Sequence, residues 1–153
     1  MTYCLTDAKE QGRSGVCMLG ARKQKAWLSD QAFAKRFGFA AVDVTNDGYE
    51  LLALSFDGTV PRFTQGAKEA VIAAQELTVY YDAQCPFVLQ SIEGIRAYCE
   101  ERGVPASFRL VDTLQKAKDM PCVFNNWAVF YKGKFETVNL LPDVAGVARI
   151  LKK

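Results

Sequence analysis

In the stretch Tyr80 to Ile92, "YYDAQCPFVLQSI", a cysteine stands directly before a proline, where an apolar β-type run ends and a helix-like stretch begins. The thiolate is the reactive form of cysteine, and the partial positive charge at a helix N-terminus stabilises it. Pro86 suits the first helical position, because it fixes φ without removing a needed hydrogen-bond donor. Cys85 therefore sits at or next to an expected N-cap, where a reactive thiol is usually presented. Three readings are open: a half-buried small residue, a single-thiol nucleophile that forms a mixed disulfide or sulfenic acid, or a contact residue in a ligand or partner groove.

The rest of the composition narrows the chemistry. The 153 residues contain no histidine, which excludes Cys-His dyads, Ser-His-Asp triads and every histidine-containing metal site. No CxxC pair occurs either, so no metal is expected. The five cysteines, Cys4, Cys17, Cys85, Cys99 and Cys122, are odd in number and widely spaced. No charged start, apolar middle and small-residue cleavage site follows Met1. Together these predict a reducing, cytoplasmic setting rather than a disulfide framework. A net charge of +2 gives no reason to invoke nucleic acid, and "ARKQK" (Ala21 to Lys25) reads as a solvated loop or an anion contact. Apolar runs such as "GVCMLGA" and "WAVFY" are too short to span a bilayer, so no membrane is expected.

The elements that must position these groups fall into two parts. "DGTVPRFTQGAK" (Asp57 to Lys68) has the glycine and proline content of a linker, and "AKEAVIAAQ" after it suits a short helix. Before it, "TYCLTDAKEQG" reads as the end of a helix closed near Gly12, and "GVCMLGA" as a buried strand. "SDQAFAKRFGF" reads as an amphipathic helix capped by Ser29 or Asp30, with Phe33 and Phe37 on one face and Gly38 closing it. "AAVDVT" and "YELLALSF" are strands joined by the turn Asn46 to Gly48. After the linker, "LTVYY" is a strand and "PFVLQSIEGIRAYCEERG" a helix with Val88, Ile92, Ile95 and Cys99 on one stripe. "ASFRLV" is a strand, "DTLQKAKD" a short helix capped by Asp112, "WAVFY" and "KFETVNLL" strands, and "PDVAGVARILKK" a closing helix with Pro142 near its start.

Strand, loop, Cys-Pro and helix in the order β-α-β-α-β-β-α resemble the thioredoxin fold, and "CPF" resembles the start of a glutaredoxin-type Cys-Pro-aromatic-Cys motif. The second cysteine of that motif falls at Val88, so a two-thiol exchange within it is impossible. The resemblance implies that the loop entering the third strand, "MPCVFNNWAVFY", passes beside Cys85. The family's proline position falls near Asn125, with Pro121-Cys122 a few residues upstream. Cys122 is then a candidate resolving thiol, or else a buried residue at a strand start. Cys99 is not a candidate, since fourteen helical residues set it about 20 Å from Cys85. In the groove reading, Tyr81, Pro86, Phe87 and Trp127 line the surface, with the core as the competing place for each aromatic.

"GVCMLGARKQKAWLSDQAFAKRFGFAAVDVTNDGYELLALSF" resembles the C-terminal half of a GNAT-type N-acetyltransferase: a strand, a helix ending in "RFGF", and two closing antiparallel strands. Followed by "DGTVPRF" and "YYDAQCPF", it resembles the YoaP-type GNAT fusion proteins. The resemblance implies a partial GNAT α+β unit at 1–60, a linker with a short helix at 61–76 and a thioredoxin-like domain at 77–153. It also implies acetyl-CoA as the family's cofactor. The Gly-rich loop that holds the acetyl-CoA pyrophosphate, Gln/Arg-x-x-Gly-x-Gly/Ala, does not occur here, and Ala34 stands where many members place a tyrosine general acid. The chain alone is therefore expected to bind no cofactor and to be inactive as an acetyltransferase. The alternatives are a single-thiol redox or redox-sensing protein using Cys85, and a non-enzymatic ligand- or protein-binding module. A half-domain sheet leaves an open edge. The candidates for its cover are the thioredoxin-like domain, a second copy of the chain, as the expected homodimer, or an N-terminal GNAT half.

Overall fold

The computed structural model describes residues 1–25, 28, 31–84, 86–124, 126–137 and 144–153. It is a mixed α/β structure with two sheets, and it divides into two compact units, Met1–Glu69 and Ala70–Lys153.

The first unit runs α1 (Thr2–Glu10), β1 (Gly15–Ala21), α2 (Ala32–Lys35), β2 (Ala40–Val44), β3 (Tyr49–Ser55) and α3 (Gln65–Glu69). Its sheet has the order β1-β3-β2, antiparallel throughout, with a register shift between Ala41 and Asp43. Alternation along β3 sends Leu52 and Leu54 to one face, where Ala34, Phe39, Val16 and Met18 join them. On the other register of β3, Tyr49, Leu51 and Ala53 are also buried. The turn to β3 places Gly48 at φ +88°, which a side-chain-bearing residue adopts only with strain. The chain after β3 then folds back on the unit. Asp43 accepts from the Phe63 amide at 2.9 Å and pairs with Lys68 Nζ at 2.8 Å, while the Asn46 amide donates to the Lys68 carbonyl at 3.0 Å.

The second unit runs β4 (Leu77–Tyr81), α4 (Pro86–Glu101), β5 (Ala106–Leu110), α5 (Leu114–Lys118), β6 (Trp127–Tyr131), β7 (Lys134–Thr137) and α6 (Val144–Leu151). The sheet order is β5-β4-β6-β7, with β4 parallel to β5 and antiparallel to β6, and β6 antiparallel to β7. Leu77, Val79, Trp127 and Val129 pack against Val88, Ile92, Ile95 and Cys99 of α4 and Val147 and Ile150 of α6. The α4 stripe is thus the one its 3.6-residue spacing predicts. Thr78 and Phe130 are register partners, and both are fully buried. There Phe130 meets Tyr80 and Phe135 edge-on, with ring centroids 5.7 and 5.6 Å apart, and Phe124 stacks on Phe135 at 5.9 Å.

Several expectations are revised. "GVCMLGA" is a strand but not a buried one: β1 is an edge strand whose Cys17 is exposed and whose burial is confined to Gly20 and Ala21. An edge strand has a neighbour on one side only, so its residues lose less surface than those of β3. The helix of "SDQAFAKRFGF" is short, and Phe33 is 51% exposed although its ring lies 5.3 Å from that of Phe37. Its expected caps, Ser29 and Asp30, lie outside the described residues, as does Pro142. The short helix near the linker covers Gln65–Glu69 rather than "AKEAVIAAQ", and Ala67 is buried in the first unit. Thr113, not Asp112, caps α5: its hydroxyl accepts from the Lys116 amide, while Asp112 pairs with Lys116 Nζ at 2.6 Å.

Residues 70–75 brace the turn of the β6–β7 hairpin. The Ile72 amide donates to Gly133, the Lys132 amide to Gln75 and the Phe135 amide to Ala70. Gly133 has φ +75°, and a Cβ there would stand 2.7 Å from the Ile72 carbonyl oxygen. Backbone on one side and a left-handed dihedral on the other leave no relaxed solution for a side chain. Gly133→Ala is expected to cost more than about 1 kcal/mol, seen as a lower urea midpoint at unchanged slope.

The Lys68 ammonium beside Asp43, with the Phe63 and Val44 amides, holds that carboxyl below its ordinary value of 3.8 against the opposing effect of burial. A depressed carboxylate contributes stability that is present above its unfolded pKa and lost as pH falls through its folded one. Amide-exchange protection at Leu51 and Leu52 is therefore expected to fall below about pH 4 in the native sequence. Asp43→Asn is expected to lower that protection at neutral pH and to flatten its acid dependence.

Candidate functional site

The described residues on both sides of position 85 form a corner at the carboxyl end of β4. The strand ends at Tyr81, whose carbonyl accepts from the Val111 amide at 2.7 Å, extending the parallel pairing with β5. Asp82 follows, only 8% exposed. Its amide donates to the Asn126 carbonyl at 3.1 Å, tying the corner to the start of β6, and one carboxylate oxygen accepts from the Gln84 amide at 3.0 Å. This is an Asx turn, by which a short acidic side chain satisfies the backbone two residues on. Pro86 then opens α4 as its first residue, and Ser91 Oγ donates to the Phe87 carbonyl one turn further along. Cys85 and Asn125 lie outside the described residues.

The other candidates are dispersed. Cys122 is buried at 5% exposure, and its thiol donates to the Phe124 carbonyl at 3.3 Å. Val88 is buried in the α4 stripe. Of the groove aromatics, Trp127 is 2% exposed within the core. Tyr81 is its register partner and packs half-buried on the same core. Pro86 and Phe87 are exposed, Phe87 at 72%. Tyr81 and Trp127 thus belong to packing, and Phe87 alone among these aromatics stands on the surface. Burial pushes the Cys99 thiol above its ordinary value, and the Glu100 carboxylate adds to that effect. Such a thiol is a packing residue, not a nucleophile.

Asp82 escaped the sequence reading. An aspartate after an apolar β-run signals a turn, and its burial has no periodic signature. The trace that could have found it is its place between "LTVYY" and the Cys-Pro step, where a turn must be tight enough to lead straight into a helix.

In the first unit, Gly38 closes the α2 turn at φ +86°, and Phe39 follows it into the core at 3% exposure. Ala34 is 1% exposed, an apolar side chain packed against Leu52. Beside the exposed Cys17, a pocket of about 160 Å³ is lined by Val16, Ala53, Leu54, Thr59 and Pro61.

Residues 105–150 match the YoaP-like family. Over 140 residues, 90% of this chain, the sequence is 30% identical to the uncharacterized N-acetyltransferase YoaP of Bacillus subtilis (strain 168). That alignment covers 56% of the relative, so the chain spans little more than half the length of the curated protein it matches. No solved structure matches the chain. Among the described residues no helix is long and apolar enough to cross a membrane.

Proposed function

We propose that this chain is part of a GNAT acetyltransferase-family protein, its first unit the C-terminal half of a GNAT-like domain and its second unit thioredoxin-like. The observation that carries the reading is the 30% identity with an N-acetyltransferase across 90% of the chain, which runs through both units. The succession of β1, α2, β2 and β3, with the "RFGF" turn between helix and strand, supports the first assignment. The order β5-β4-β6-β7, with one parallel and two antiparallel pairings, supports the second.

The family's acetyl-CoA does not fit the residues present. No Gln/Arg-x-x-Gly-x-Gly/Ala loop occurs in the sequence. Ala34, buried and without an ionisable group, supplies no acid at the position where the resemblance places a tyrosine. The outer edge of β1 has no strand partner among the described residues, and a second copy of the chain or an N-terminal GNAT half is its proposed cover. The unpaired thiols of Cys4 and Cys17, both exposed, suit a cytoplasmic protein. Calorimetric titration of the 153-residue chain with acetyl-CoA is expected to give no saturable heat up to about millimolar ligand. A saturable heat would overturn the reading that these residues lack the donor site.

A second reading has its own support in the corner after β4: the Asx turn at Asp82 and the start of α4 at Pro86 flank a Cys-Pro step. In it Cys85 is a lone nucleophile. Its thiolate attacks one sulfur of a disulfide and releases the other as a thiolate, leaving a mixed disulfide for Cys122 or an outside thiol to resolve. Iodoacetamide is then expected to alkylate Cys85 faster than a free peptide thiol at neutral pH, and Cys85→Ser to abolish mixed-disulfide formation. Alkylation at the peptide rate, with an unchanged phenotype of Cys85→Ser, ends this reading.

A further inference from the structure

We propose that the cleft at the carboxyl ends of β4 and β5 is a binding site for a compact organic cation, a primary ammonium carried on an apolar stem. The cleft has a volume of about 450 Å³ and is lined by Asp82, Gln84, Leu110, Val111, Asp112 and Leu114. It lies where two adjacent parallel strands end and the helices after them begin, the place at which parallel α/β units form ligand sites. Its volume falls within the range of small-molecule pockets.

The decisive group is Asp82. The residue is more than nine-tenths buried and lines the cleft. One carboxylate oxygen is held by the Gln84 amide, and the other has no partner among the described residues. That oxygen is not one of the buried atoms left without a partner, so it opens to the cleft, where a donor or a positive charge can reach it. The cation nearest in sequence on this rim is Lys116, and it is already paired with Asp112 at 2.6 Å. Two carboxylates and one committed ammonium leave the side chains of the cleft with one unmatched negative charge, that of Asp82. Leu110, Val111 and Leu114 supply the apolar wall, and Leu114 is 72% exposed although it opens a helix. An ammonium meets the open oxygen of Asp82, and a short alkyl stem covers Leu114. The site depends neither on acetyl transfer nor on any thiol.

The test is a proton–nitrogen NMR titration of the full chain with n-butylammonium, and with n-butanol as a probe of like stem and no charge. Saturable shifts are expected at the amides of Asp82 to Gln84 and Leu110 to Ala117 with the ammonium. Affinity is expected to be at least about tenfold weaker for butanol, and to fall about tenfold in Asp82→Asn. Asparagine keeps the oxygen that accepts from Gln84, so the variant removes charge while leaving the turn. Added salt is expected to weaken the ammonium alone. Absence of saturable shifts, equal binding of butanol, or unchanged binding by a folded Asp82→Asn protein overturns the proposal. If Asp82→Asn does not fold, the comparison of ammonium with butanol on the native chain decides it.

Discussion

The pairing of β4 with β5 on one side and β6 on the other is the constraint from which the second unit is built. Leu77, Thr78 and Val79 are each at most 1% exposed, so this strand is covered on both faces as well as both edges. A parallel neighbour obliges the chain to cross over before β5 begins, and α4 is that crossover. Its apolar stripe covers one face with α6, while the aromatic group around Phe130 fills the other. Because β4 and β5 run the same way, their carboxyl ends meet on one side of the unit. Asp82, Gln84, Asp112 and Thr113 therefore converge without being close in sequence. The corner before α4 and the cleft beside it are two consequences of one parallel ladder.

The first unit solves a harder problem with less material. Small domains bury a smaller fraction of their surface, and each apolar side chain they do bury is worth about 1.5–3 kcal/mol. Its three-stranded sheet presents apolar residues on both registers of β3. The α1 and α2 side takes Leu52 and Leu54. Residues 59–69 return to the unit through backbone and carboxylate contacts to Asp43 and Asn46. A segment with the composition of a linker is thereby committed to a fold. The Asp43–Lys68 pair is part of what commits it, because Asp43 also accepts from two backbone amides and holds its charge against burial.

What could be read in advance follows the same physics. The α4 stripe, the β2–β3 turn at Gly48 and the strands of the second unit are specified by local spacing and turn chemistry, so the sequence displays them. Whether a strand is an edge or a centre is decided by partners distant in the chain. For that reason β1 reads as a buried strand and is not one. The cap of α5 turns on a choice between adjacent residues, Asp112 and Thr113, each able to cap; the competing ion pair with Lys116 takes the first and leaves the second. Trp127 is a groove candidate by sequence, although an aromatic of its kind is more often core. Its place on β6, beside the central strand, sends it inward. Its indole N–H is left without an acceptor among the described residues, an unmade hydrogen bond of about 1–3 kcal/mol that burial of the ring must outweigh.

The thiols give the sharpest case of position deciding chemistry. One helix, α4, directly follows Cys85 and contains Cys99, and its sixteen residues span about 24 Å. At its first turn the helix dipole favours a thiolate; in its last turn the same dipole opposes one. Cys99 also faces the core, where desolvation and the neighbouring Glu100 push its thiol the same way. It can pack and little else. Val88, one turn from the other end of the helix, points into that core too. Within α4, then, neither position offers a reactive sulfur: Val88 carries none, and Cys99 is held in the core.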